Sequence, residues 1–105
     1  MAREAALEAR CCALARRLGC TPIKLGGFVV GLPDRIFLLP GGRTWLVEFK
    51  APGEPVTPRQ KHEFNQLCEL GHPVSVIPYF AWFKRNLLDR LEPPQRPTQL
   101  RLDVT

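Results

Sequence analysis

Fifteen Lys and Arg stand against ten Asp and Glu in a chain of 105 residues, a formal net charge of +5 at a pI near 9.4, with 45% of residues apolar. At about 100–200 residues per domain this is one domain, with no room for a separate cofactor-binding fold but enough chain to bury a core without disulfide or metal staples. The charged and aromatic content excludes a disordered chain, no apolar run is long enough to cross a bilayer, and the basic excess points to a polyanionic partner, nucleic acid before membrane.

The first element in chain order is a helix over 3–18. Leu7, Cys11, Leu14 and Leu18 recur at i, i+4, i+7 and i+11, and Gly19 is placed to end it. Ala5, Cys12 and Ala15 widen the apolar arc, and both Glu4 and Glu8 fall inside it. Two glutamates this early leave no apolar stretch for a secretory leader, so a cytoplasmic, reducing setting is expected. Cys11, Cys12, Cys20 and Cys68 lack metal-ligand spacing and read as buried thiols.

Residues 22–31 read as one bent strand interrupted by Gly26, Gly27 and Gly31. Two apolar runs, 35–39 and 44–50, flank Pro40-Gly41-Gly42-Arg43 and predict a hairpin. Thr57-Pro58-Arg59-Gln60 carries an N-cap, a proline at the first helical position and a Gln three residues after the cap, opening a helix that Gly71 ends. Phe64, Leu67 and Cys68 supply its apolar face. A short strand at 74–77 precedes a last helix over 79–91, with Phe80, Phe83, Leu87 and Leu91 on one stripe. The order is α-β-β-β-α-β-α, an α/β fold with the globular unit at 1–91. Residues 92–105 read as a Pro-rich linker and short tail, where Leu100, Leu102 and Val104 alternate as a strand for another chain's sheet edge or simply fray.

Period-two alternation over 44–50 puts Trp45, Val47 and Phe49 on one face and Leu46, Glu48 and Lys50 on the other. Taking Gly41-Gly42 as a two-residue loop sets Asp34 opposite Phe49, on the wrong face, so a bulge or a longer loop is needed to bring its carboxylate to Glu48. Brought together, Asp34 and Glu48 offer hard oxygen ligands to Mg²⁺, which binds through one or two carboxylates plus substrate phosphate, and Lys50 can hold an attacking water. A plain surface ion pair between Glu48 and Lys50 is the alternative.

Pro33-Asp34 followed after thirteen residues by Glu48-Phe49-Lys50 resembles the PD-(D/E)xK nuclease signature. The wider run from Gly31-Leu32-Pro33-Asp34-Arg35 through Glu48-Phe49-Lys50-Ala51-Pro52-Gly53 to Gln60 resembles the virus-type replication-repair nuclease (VRR-NUC) family. The family pattern departs at Leu32, where Val or Thr is usual, and at Cys20, where a second Gly is frequent. The resemblance implies a restriction-endonuclease-like core with a mixed central sheet flanked by helices. It implies Asp34, Glu48 and the Phe49 carbonyl as ligands of Mg²⁺ or Mn²⁺, with no organic cofactor. Lys50 would position the water, with Glu8, or alternatively Glu4, as the acidic residue of the first helix. A phage source and a 5′-phosphate product follow from the same likeness.

Gln60 has two readings, a capping box with Thr57 or a place beside the metal site. Lys24, Arg35, Arg43, Arg59 and Lys61 are candidate contacts to DNA phosphate, with Lys84 and Arg85 behind them. Tyr79, Phe80, Trp82 and Phe83 suit a core or a subunit contact, with base stacking as the alternative. His62 and His72 lack ligand spacing and read as surface residues. The expected function is a metal-dependent endonuclease on branched DNA, a Holliday junction or flap, working as a homodimer by analogy with junction resolvases. A sequence-reading or nicking enzyme of the same fold and a catalytically silent DNA-binding module are the alternatives.

Overall fold

A computed structural model describes residues 3–27, 29–92 and 102. In chain order these form α1 (Arg3–Arg17), β1 (Thr21–Lys24), β2 (Arg35–Leu39), β3 (Arg43–Phe49), α2 (Pro58–Glu69), β4 (Val74–Ile77) and α3 (Phe80–Leu91). The order α-β-β-β-α-β-α is the one expected. The four strands make one mixed sheet, β1-β2-β3-β4, antiparallel across the first three and parallel between β3 and β4.

α1 and α3 pack together on one face of the sheet, burying Cys11, Cys12, Leu14 and Ala15 against Phe37, Trp45, Val47, Phe49, Phe83 and Leu87. Phe83 lies 5.2 Å from Phe37 and 5.2 Å from Trp45, ring to ring, so the last helix is fixed on the sheet by aromatic contact. Leu18 lies beyond the end of α1 and is exposed, as is Ala5. β3 is paired on both sides and buried from Trp45 to Phe49, so its end supplies a rigid platform.

Two expectations are corrected. The strand foreseen at 22–31 stops at Lys24, because Gly27 and Gly31 both take φ +92° and turn the chain out of the ladder. The chain returns where the N–H groups of Leu25 and Gly26 donate to the Asp34 carbonyl at 2.9 and 3.1 Å. The hairpin loop holds three residues, Pro40, Gly41 and Gly42, with Leu39 opposite Arg43. Gly41 at φ +85° and Gly42 at φ +76° permit it. Arg35 then pairs with Val47, and one step further along that register sets Asp34 opposite Glu48, not Phe49.

Of the four cysteines, Cys11, Cys12 and Cys20 are buried, but Cys68 on α2 is exposed, since that helix buries chiefly Phe64. The expected linker and tail strand lie outside the described residues apart from Leu102. Among the described residues no helix is long and apolar enough to cross a membrane.

Candidate active site

The end of β3 carries the buried charged residues of the described chain, Glu48 and Lys50, 5% and 8% exposed. Alternation aims both to the α2 side of the sheet, and Lys50 Nζ lies 3.6 Å from Glu48 Oε2. Asp34 reaches this end from the neighbouring strand, where its Oδ2 accepts the Phe49 N–H at 2.8 Å. The three-residue hairpin loop is what brings the two carboxylates to one height and one face.

Burial pushes the Glu48 carboxyl above the usual carboxylate range, and the negative charge of Asp34 pushes it further. Lys50 and a hydrogen bond from Gln60 pull it back without cancelling the rise. Two carboxylates thus face one another with one cation for both, a donor set that favours a further hard cation between them. Asp34 Oδ2 is taken by Phe49, which leaves Oδ1 for a ligand. No group of three or more acidic, His or Cys side chains able to hold a metal occurs among the described residues. Two carboxylates are what an ion of the Mg²⁺ type takes from a protein, completing its shell with water, backbone and phosphate oxygen.

Gln60 closes the capping box foreseen for it and also reaches Glu48. Its backbone N–H donates to Thr57 Oγ1 at 3.1 Å and its Oε1 accepts the Thr57 N–H at 2.9 Å, closing a capping box. Its Nε2 simultaneously donates to Glu48 Oε2 at 3.0 Å. Pro58 and the cap fix the first turn of α2, and that turn orients the buried carboxylate.

Glu8 is placed differently from Asp34 and Glu48. Its carboxylate accepts from Arg35 Nε and, at 3.1 Å, from Lys24 Nζ, forming a cluster beside Asp34 in sequence. Arg35 pairs with Val47 and Lys24 with Arg35, so Glu8 holds both cations on the α1 side of the sheet, the face opposite to Glu48 and Lys50. Arg59 lies 3.8 Å from Glu63 on exposed α2, with Lys61 also exposed. Arg43 sits at the opposite end of β3, five residues or about 17 Å from Glu48, and lines a separate hollow of 430 Å³ with His72 and Arg90.

Two features escaped the sequence. Glu54 Oε2 lies 3.5 Å from Lys50 Nζ, giving the lysine a second acidic partner four residues on. Glu54 is anchored by the Ala51 N–H, which donates to its Oε1 at 3.1 Å. The Pro52-Gly53 turn, with Gly53 at φ +81°, is the only sequence hint of that return. Gly26 packs against Asp34, and a Cβ there would stand 3.3 Å from Asp34 Oδ1.

The profile of the VRR-NUC domain family matches residues 2–78. A solved structure titled "VRR_NUC domain" superposes with a TM-score of 0.77 at 25% identity, over 87% of this chain and 99% of that one. A protein named "Putative nuclease p44", from Acyrthosiphon pisum secondary endosymbiont phage 1, is 51% identical over 47 residues, 45% of this chain. The match spans half the length of that relative, 50%.

Proposed function

The chain belongs to the VRR-NUC domain family, and from its site we propose that it is a divalent-metal-dependent endonuclease hydrolysing DNA phosphodiester bonds. The observation that carries this reading is the buried Glu48 carboxylate, raised in pKa by burial and by Asp34, with Lys50 at 3.6 Å and Gln60 at 3.0 Å. A buried like-charged pair is costly in a protein with no use for it, and a bound cation offsets that cost.

Asp34, Glu48 and the Phe49 carbonyl would hold Mg²⁺ or Mn²⁺. When bound, such an ion supplies Lewis-acid stabilisation of the charge building on the phosphoryl oxygens. Lys50 holds the attacking water in line with the scissile bond, its ammonium steadied between Glu48 and Glu54. Gln60 fixes the rotamer of Glu48 through its amide. Lys24 and Arg35, fixed by Glu8 on the α1 side of the same sheet end, take the flanking phosphates and set the register of the strand. Arg59 and Lys61 on the first turns of α2 extend that track, whereas Arg43 faces a different part of the molecule.

The substrate class is branched DNA, a junction or flap, and the active form is a homodimer over residues 1–91. A chain this small covers little duplex, and a two-fold pair of subunits matches the symmetry of a four-way junction. Cleavage of a junction, a flap and a plain duplex of the same sequence, with Mg²⁺ and with EDTA, tests the reading. Cutting of branched DNA that needs Mg²⁺ and vanishes in Asp34→Asn is expected. Equal rates on all three substrates remove structure specificity, and cutting that persists in EDTA removes the metal.

A further inference from the structure

Four aromatic residues crowd the start of α3, and the fold divides them. Phe80 and Phe83 turn into the core, while Tyr79 and Trp82 stay at the surface, 40% and 53% exposed. Their rings meet edge to face at 5.2 Å. With Lys50, Pro52, Val76 and Pro78 they line a hollow of 330 Å³. One wall of that hollow is therefore the lysine whose ammonium lies 3.6 Å from Glu48. Trp82, Tyr79 and Val76 are all exposed and share this one hollow beside the candidate site, a contiguous apolar patch of the kind that marks a ligand surface.

We propose that this hollow is a nucleotide subsite, in which an unpaired base next to the phosphate to be cut stacks on Trp82 and Tyr79. The inference rests on the nuclease reading and deepens it by naming what the enzyme recognises. Aromatic faces accept any base without reading sequence. Arg85, exposed three residues after Trp82 and on the same side of α3, suits the phosphate that follows that base. Glu54, the one acidic residue of the wall, is occupied by Lys50 and by the Ala51 N–H. A base within a duplex must first be unstacked and unpaired, whereas a nucleotide freed at a branch or flap enters without that cost and is the favoured occupant. The hollow thus supplies a physical origin for preference between branched DNA and plain duplex. A second copy of the chain is the competing occupant, since β4 with its exposed Val76 is a sheet edge.

The test measures binding of a fluorescein-labelled flap and of a plain duplex with the same sequence by anisotropy, on the full chain in an Asp34→Asn background. Wild-type cleavage and the mass in solution are measured alongside. Trp82→Ala is expected to lower the flap-to-duplex affinity ratio about tenfold, and Trp82→Phe to recover most of it. An unchanged ratio in Trp82→Ala overturns the subsite, and does so in favour of a contact between copies when the same substitution lowers the mass in solution. Wild-type protein that cuts DNA while the ratio stays unchanged defeats this inference alone. Wild-type protein that neither binds nor cuts DNA defeats the nuclease reading and the subsite together.

Discussion

Gln60 Nε2 donates to Glu48 Oε2 at 3.0 Å while Gln60 Oε1 accepts the Thr57 N–H at 2.9 Å, so one amide joins a helix cap to a buried carboxylate. The two ends of the amide do different work, and substitution can separate them. In Gln60→Glu a carboxylate oxygen still closes the capping box, but the donor to Glu48 becomes a second negative charge. Cleavage is expected to fall at least tenfold with the helical circular dichroism unchanged. Gln60→Ala keeps its backbone N–H on Thr57 Oγ1 but loses the side-chain half of the box, and is expected to cost about 0.5–1 kcal/mol of stability on thermal unfolding. Full activity in Gln60→Glu confines the residue to the helix.

Much of this arrangement is legible in the sequence, and the failures have physical causes. The capping box, the stripe on α3 and the alternation that pairs Glu48 with Lys50 depend on local period and spacing, which the fold keeps. The partner of Asp34 depends on a loop length, and counting two glycines as the whole turn shifted the register by one residue. Pro40 belongs to the loop, and that single residue moves Asp34 from opposite Phe49 to opposite Glu48. The α3 stripe already separates Phe80 and Phe83 from Tyr79 and Trp82, but the hollow that Tyr79 and Trp82 share with Lys50 joins distant segments and has no counterpart in local spacing. Ion pairs between distant elements, Glu8 with Arg35 and Lys24, leave no trace in spacing at all.

Gly26 controls Asp34 by its lack of a side chain. A Cβ would stand 3.3 Å from Asp34 Oδ1 and 3.5 Å from its Cα, and the backbone here is also pinned by the Gly26 N–H on the Asp34 carbonyl. Gly26→Ala therefore displaces the carboxylate by a few tenths of an ångström. The stability cost is expected to be about 1 kcal/mol, whereas the rate of Mg²⁺-dependent cutting falls by more than tenfold, because a misplaced ligand costs more than a strained contact. Unfolding midpoints and single-turnover rates measured on the same preparation check the split.

Glu54 shares Lys50 with Glu48, at 3.5 Å against 3.6 Å. Its carboxyl is held below the usual range, first by the Ala51 N–H and then by the charge of Lys50. Glu54→Gln retains an acceptor for Ala51 while removing the charge. The ammonium is then left to Glu48 alone, and a rate loss of several-fold with unchanged stability is expected. Lys50→Ala is expected to lower cutting far more, to a residual rate read in single turnover, and comparison of the two rates shows whether Glu54 acts through the lysine. In a Lys50→Ala background Glu54→Gln should have no further effect.

Divalent metal should stabilise the folded chain, because it binds the Asp34 and Glu48 pair only when the hairpin sets them face to face. At a concentration one hundred times its dissociation constant the gain is about 2.7 kcal/mol, enough to raise the unfolding midpoint by several degrees. Differential scanning fluorimetry over a Mg²⁺ and Mn²⁺ series reads it directly. Asp34→Asn removes both a ligand and the repulsion on Glu48, so that variant is expected to be more stable without metal and unresponsive to it. A variant that still gains stability from Mg²⁺ places the ion elsewhere.

The cysteines give a readout of the core that is independent of the active site. Burial, and then the neighbouring Cys12, push the Cys11 thiol up to about 12, so it stays neutral in the folded chain. A thiol raised in the folded state contributes stability that is complete below its ordinary value near 9, and that stability is lost as pH rises toward 12. The unfolding midpoint is accordingly expected to drop between those limits. At pH 8 a maleimide should modify the native protein at Cys68 alone, the exposed thiol on α2, and all four after denaturation. Early labelling of Cys11 or Cys12 in a site variant would show that α1 has come off the sheet, and loss of activity in that variant would then be a loss of fold.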